Sequence, residues 1–294
     1  MKLCAHSMGT PHLDPFDAAD LFAQMGYEGV EYSALKDYRC APSVNWDRSE
    51  RARLRSHCAE RGLPIVSLAS YVTDLNSDDE LLASAEFEAL RADLILAADL
   101  GASVVRLYGG RLVPRDRWER SIQLLAERVG RLVGLCRELN VRIAVENHFG
   151  TLTTTAAETM ALVNAIGAPE VGVLYDQANL THMHAEGYEE AIRLQARHVL
   201  HVHAKDLQFL DPAVETDVSQ VIHVARDKRA AKWVLLGNGI LPWGEILRAL
   251  RRTGYDGYVS VEYTYKKVYE GDLPAPETGM KRSLEFLRGL LAGV

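Results

Sequence analysis

The sequence predicts an α/β protein, a closed (β/α)₈ TIM barrel running through residues 1–294 as one domain. Three observations predict it. Eight short aliphatic and β-branched runs alternate strictly with longer amphipathic stretches, and parallel neighbours need such crossover helices. The first run is followed by Ser7-Met8-Gly9-Thr10, which lacks the Gly-rich phosphate turn of an open doubly wound sheet. No linker or low-complexity tract breaks the rhythm. A length of 294 residues suggests two domains by the usual rule, but barrels of roughly 250 residues are the standing exception.

The elements follow in order. Lys2–Ser7 is the first strand; Asp14-Pro15, a cap followed by proline, opens a helix that stops at Gly26. Gly29–Tyr32 is the second, and Asp47 caps a helix ending at Gly62. Pro64–Ala69 is the third, followed by a long helix within Ser77–Gly101. Ser103–Leu107 is the fourth, with a helix reaching about Leu139. Val141–Glu146 is the fifth; Thr155-Ala156-Ala157-Glu158 has capping-box spacing and Gly167 lies at the far end. Val171–Tyr175 is the sixth, leading to a helix near Glu186–Arg197, and Val199–His203 is the seventh. A long irregular loop, 205–241, follows. It is too long for a routine connection and reads as a lid over the site or a contact in a homo-oligomer. Pro242 then opens a helix closed by Gly254, Tyr258–Glu262 is the eighth strand, and Pro276–Leu290 the last helix.

Composition bounds the function. Residues are 48% hydrophobic and 25% charged, as in globular proteins, and the net charge of −7 offers no footprint for nucleic acid. No apolar run approaches the ~18 residues of a membrane span. Cys4, Cys40, Cys58 and Cys136 are scattered, with no CxxC pair and no signal peptide before them. A cytoplasmic protein with reduced thiols and a small polar substrate is expected.

In a barrel of this kind the active site lies at the C-terminal ends of the strands. The fifth strand ends at Glu146, the sixth leads to Asp176, the seventh to His203 and the eighth to Glu262. Each alone reads equally as a helix cap or solvated loop residue. Four together in one mouth repel unless a cation holds them. Three carboxylates and an imidazole suit a hard or borderline divalent ion: Mn²⁺ first, then Mg²⁺, Co²⁺ or Zn²⁺. Side chains two apart face the same way, which puts His148 with Glu146 and Lys205 with His203, above the metal. Arg106 ends the fourth strand, as a substrate contact or a salt bridge to Glu146. Glu31, Tyr71 and His6 close the ring as substrate contacts, with rim packing the alternative for Tyr71 and a satisfied core histidine for His6. His182 and His184 read as loop residues and His201 as an interior group one layer deeper. His12, His57, His198 and His223 have no evident partners. Gly109-Gly110-Arg111 and Gly237-Asn238-Gly239 are the loops with amides to offer a phosphate.

The segments Val145–His148, Leu174–Asn179, His201–Asp206 and Gly254–Glu262 resemble the xylose isomerase-like barrel superfamily, above all its sugar phosphate isomerase/epimerase members. Gly26–Glu31, Leu236–Gly239 and Ser283–Leu287 add to a likeness that spans nearly the whole chain. The resemblance implies one metal on Glu146, Asp176, His203 and Glu262. As in its ketose 3-epimerases, it implies proton transfer by Glu146 and Glu262. Its 3-dehydroshikimate dehydratases carry a His and a Lys where His148 and Lys205 stand, with Arg, Tyr and Glu near Arg106, Tyr71 and Glu31. Its endonucleases place a histidine where Asn179 stands and further metal ligands where Tyr71 and Arg106 stand, so this sequence departs from them. The expected activity is therefore a metal-dependent isomerase or epimerase of a keto sugar or related polyol, through an enediolate. A dehydratase (lyase) of the 3-dehydroshikimate or inosose type is the alternative. A non-catalytic binding subunit and a DNA endonuclease stand further back.

Overall fold

The computed structural model describes residues 1–211, 231–264 and 273–293. Among them, the strands are β1 Lys2–His6, β2 Gly29–Ser33, β3 Ile65–Ala69, β4 Val104–Tyr108, β5 Arg142–Glu146, β6 Val171–Tyr175, β7 Val199–Ala204, β8 Asp206–Phe209, β9 Ala231–Val234 and β10 Tyr258–Val261. Eight of these close a parallel barrel in the order β1-β10-β7-β6-β5-β4-β3-β2. The helices are α1 Pro15–Met25, α2 Arg48–Glu60, α3 Glu80–Leu100, α4 Trp118–Gly130, α5 Val133–Leu139, α6 Ala156–Ile166, α7 Gln177–His182, α8 Tyr188–Gln195, α9 Trp243–Arg252 and α10 Pro276–Leu291.

Strand parity sorts the side chains. Leu3, Val30, Leu68, Val105, Val145, Val173, Val202 and Val259 join the core between strands and helices. The other parity points into the lumen. There Val104, Ala144 and Leu174 form a separate small cluster that plugs the barrel. A residue two places further along each strand therefore lies above this plug, at the C-terminal mouth. Gly172 serves closure of the barrel. A Cβ there would run into the His198 carbonyl, so β6 and β7 approach closely only because this position has no side chain.

Most caps are as the sequence predicts. Asp14 accepts hydrogen bonds from the Phe16 and Asp17 amides, and Asp47 with Glu50 forms a complete capping box. Thr155 supplies only half of one: it accepts from the Glu158 amide, while the Glu158 carboxylate accepts from Thr154 instead.

Three expectations change. The helix expected after the fourth strand is two, α4 and α5, parted by a turn after Gly130, a poor helix former. The segment after β6 is not a loop: Asp176 caps α7 by accepting from the Asn179 amide, and His182 is that helix's last residue. The 205–241 stretch is not irregular at its ends, because β8 and β9 pair as an antiparallel hairpin. Residues 212–230, including His223, lie outside the described residues.

Asp206 anchors that hairpin. Its buried carboxylate accepts from the amides of Leu207, Gly237, Gly239 and Leu241 at 2.9–3.2 Å. The Gly237-Asn238-Gly239 amides expected to be free for a phosphate are thus taken. In the other candidate loop, the Gly110 amide donates to the Tyr108 carbonyl and the Arg111 amide to Asn76 Oδ1.

Candidate metal centre

Ligand-type atoms of Glu146, Asp176, His203 and Glu262 all lie within 4.8 Å of one another, and all four residues are buried. Two ligands about 2.0–2.6 Å from a shared ion lie at most about 4.0–5.2 Å apart, so these atoms are close enough to share one. His203 is central. Its Nδ1 is 3.4 Å from Glu146 Oε1, 3.2 Å from Glu262 Oε2 and 4.0 Å from Asp176 Oδ2. That nitrogen has no hydrogen-bond partner among the described residues. A buried imidazole nitrogen with no partner, facing three carboxylates, is the donor set a divalent cation takes.

Two fixed cations flank the quartet. Arg106 Nη1 lies 3.2 Å from Glu146 Oε2, while its other nitrogens donate to the Ser70 carbonyl. Lys205 Nζ lies 2.6 Å from Glu262 Oε2 and 2.8 Å from Asp176 Oδ2. Burial pushes the Glu146 carboxyl up, but Arg106 and the nearby His203 imidazole bring it down to about 2. Burial dominates at Asp176, which rises to about 6 despite Lys205. The Glu262 carboxyl, though buried, is held well below its usual range by Lys205 and His203. Burial would lower the His203 imidazole, yet Glu31 and Glu262 carry it well above its ordinary value. With His203 neutral as a ligand, the buried carboxylates Glu31, Glu146, Asp176 and Glu262 outnumber Arg106 and Lys205 by two charges. One divalent ion neutralises that excess.

The remaining predicted residues fall into two levels. At the mouth, the Arg106 guanidinium packs against the rings of Tyr71 and Tyr108, 4.4 and 4.1 Å from their centres. His148 packs on Tyr108 with ring centroids 4.7 Å apart, and its Nδ1 lies 2.8 Å from the Phe149 carbonyl. His6 is fully buried; its Nδ1 accepts from the Met8 amide, and its Nε2 has no partner among the described residues. One level down, Glu31 is not at the rim: it meets His201 Nε2 at 2.9 Å and His203 Nε2 at 3.1 Å. His201 is thus hydrogen-bonded in the interior, as parity predicts. His57, expected to lack a partner, has one in Asp20 Oδ1 at 2.7 Å.

Sequence reasoning missed two contributors. Asn179 donates to Glu146 Oε1 at 3.2 Å and to the Asn147 carbonyl at 2.9 Å, a role visible only once α7 is known to start at Asp176. Trp233, on β9, covers Lys205, with Nζ 5.0 Å from a ring centre, and touches His182. No spacing signals that contact, because it depends on the hairpin.

The fold agrees with the comparisons. The family model described as xylose isomerase-like TIM barrel matches residues 19–290, and the chain belongs to that family. Rhizopine catabolism protein MocC of Rhizobium meliloti is 30% identical over 199 residues, 60% of this chain and 57% of that protein. Inosose dehydratase of Lacticaseibacillus casei is 28% identical over 180 residues, 59% of this chain and 58% of that enzyme. The chain thus spans a little over half the length of these two relatives. Among solved structures, the IolI protein with a bound zinc atom superposes with a TM-score of 0.77 at 17% identity, over 100% of this chain and 99% of that one. D-psicose 3-epimerase superposes with a TM-score of 0.74 at 18% identity, over 99% of each chain. At such identities these two establish the fold alone.

Proposed function

We propose that the chain is a divalent-metal-dependent isomerase or epimerase of a keto sugar or related polyol, acting by proton abstraction next to a carbonyl. One observation carries this reading. Glu146 and Glu262 both lie close to His203 Nδ1, and each is held ionised by its own cation, Arg106 or Lys205. Such a pair can take a proton from one face of a substrate carbon and return one to the other face or to the neighbouring carbon. An ion on Glu146, Asp176, His203 and Glu262, Mn²⁺ by the hardness of the donor set, supplies Lewis-acid polarisation of a carbonyl oxygen. Lys205 stays charged, since Asp176 and Glu262 outweigh its burial, and offers fixed positive charge to a developing enolate oxygen. Arg106, Tyr71 and His6 line the substrate side of this reading, with Glu31 beneath them.

A second reading, dehydration, has an observation of its own. The Phe149 carbonyl can only accept, so Nδ1 of His148 carries the hydrogen and neutral His148 presents Nε2 as a base. Burial lowers that imidazole to about 4, which keeps it neutral at pH 7. The name of one relative, inosose dehydratase, supports dehydration as the second reading.

The test is NMR in D₂O with Mn²⁺-loaded protein and a panel of ketoses, inososes and 3-dehydroshikimate. Deuterium entering beside the carbonyl with a new sugar is the expected result. A vinylic or aromatic proton with loss of water moves the chain to the lyases. A protein that takes up no metal and exchanges nothing sinks both readings.

A further inference from the structure

Glu31 stands on β2 and its partners on β7, with β1 and β10 between those strands on the shorter way round. Its side chain therefore reaches across the lumen to meet them. Oε2 lies 2.9 Å from His201 Nε2 and 3.1 Å from His203 Nε2, and Oε1 lies 3.2 Å from His203 Nε2. Oε1 also accepts from the Ser67 hydroxyl at 3.2 Å. All four side chains are buried. A carboxylate only accepts, so both Nε2 atoms carry hydrogen. The proton that an ion displaces is then the one on Nδ1, the nitrogen that faces Glu146, Asp176 and Glu262, and that is where His203 presents its lone pair.

We infer that Glu31 is a positioning residue for the metal centre: it fixes His203 in the tautomer whose Nδ1 can bind an ion, and His201 fixes Glu31. The inference rests on the metal-site reading above and adds to it a residue that is not a ligand. Without a carboxylate at position 31, the other tautomer gains. Nδ1–H would then donate to Glu146 or Glu262 and occupy the place of the ion. Glu31 also supplies one of the negative charges that a divalent cation offsets. Its loss weakens binding by charge as well as by geometry.

Two measurements test this without turnover. In ¹⁵N-histidine-labelled protein loaded with Zn²⁺, chosen because it is diamagnetic, His203 should show a protonated Nε2 and a metal-bound Nδ1. A metal-bound Nε2 overturns the inference and needs no variant. In Glu31→Gln, the amide oxygen still accepts but charge and symmetry are lost. Titration calorimetry should show Zn²⁺ and Mn²⁺ affinity lower by about 10–100-fold, while the melting temperature in EDTA is unchanged or higher. An affinity within twofold of the parent, with or without a lower EDTA melting temperature, means a merely structural role and overturns the inference. If the parent protein itself binds neither ion, the metal reading fails and this inference falls with it. If the parent binds and Glu31→Gln binds equally, only this inference fails.

Discussion

Lys205 Nζ sits 2.6 Å from Glu262 Oε2, so the last strand's carboxylate is paired with a cation from the strand beside it. Lys205→Met should keep the barrel, because the methionine fills the same space under Trp233. It should lower kcat by about 10²–10⁴-fold if the ammonium supports an enolate oxygen. Steady-state kinetics on the substrate found by deuterium exchange checks this. A kcat within threefold of the parent would remove Lys205 from the chemistry.

Arg106 and Glu146 form the other buried pair, and breaking it leaves an uncompensated charge. Arg106→Met in EDTA should cost roughly 3–5 kcal/mol at pH 7. The sign with pH follows from Glu146, whose folded-state pKa, about 2, lies below its ordinary 4.5. Ionised Glu146 contributes stability that is fully present above about 4.5 and is lost as pH falls toward 2. The variant's deficit should therefore shrink between pH 7 and pH 4. Urea unfolding at both values measures it, and a deficit that grows on acidification would contradict the pairing.

His148 separates the two proposed reactions. For a dehydratase with Nε2 as base, His148→Ala should lose about 10²–10⁴-fold in kcat. For proton transfer by Glu146 and Glu262 alone the loss should stay within about tenfold. The parent's rate should also fall at low pH with a midpoint near the lowered imidazole value of about 4 only in the first case.

Asp93, in α3 and away from the metal residues, gives a stability prediction of opposite sign. Burial raises its carboxyl from 3.8 to about 6. The folded chain holds this proton longer than the unfolded chain. The group thus costs nothing below about pH 4 and destabilises increasingly as pH climbs to 6. Asp93→Asn should stabilise by at most about 3 kcal/mol at pH 8 and by little at pH 4. Melting temperatures at the two pH values decide it; an equal shift at both would show that burial of the charge is not the cause.

How much of this was legible in the sequence depended on the reach of each signal. Strand-end positions are local: once the alternation fixed the strands, Glu146, Asp176, His203 and Glu262 followed from chain order and barrel geometry, and the structure brings them together. Caps at Asp14 and Asp47 are local too. The two levels of the mouth were not legible. Glu31 sits two residues, one level, short of where a rim contact needs to be, and its distance to β7 depends on barrel closure rather than on spacing. The split between α4 and α5 turned on a single weak helix former in an otherwise periodic stretch. The β8–β9 hairpin escaped because its strands have four residues each and lie far apart in sequence.

Asp206 follows Lys205 directly in the chain, and its carboxylate holds the 237–241 segment through three amides. The Trp243 indole nitrogen, at the start of α9, also donates to the Lys205 carbonyl at 3.2 Å. The ammonium at the metal residues and the roof above it are therefore mounted on one bracket. The chain cannot reposition the hairpin without moving Lys205, nor retune Lys205 by backbone shifts without disturbing the roof.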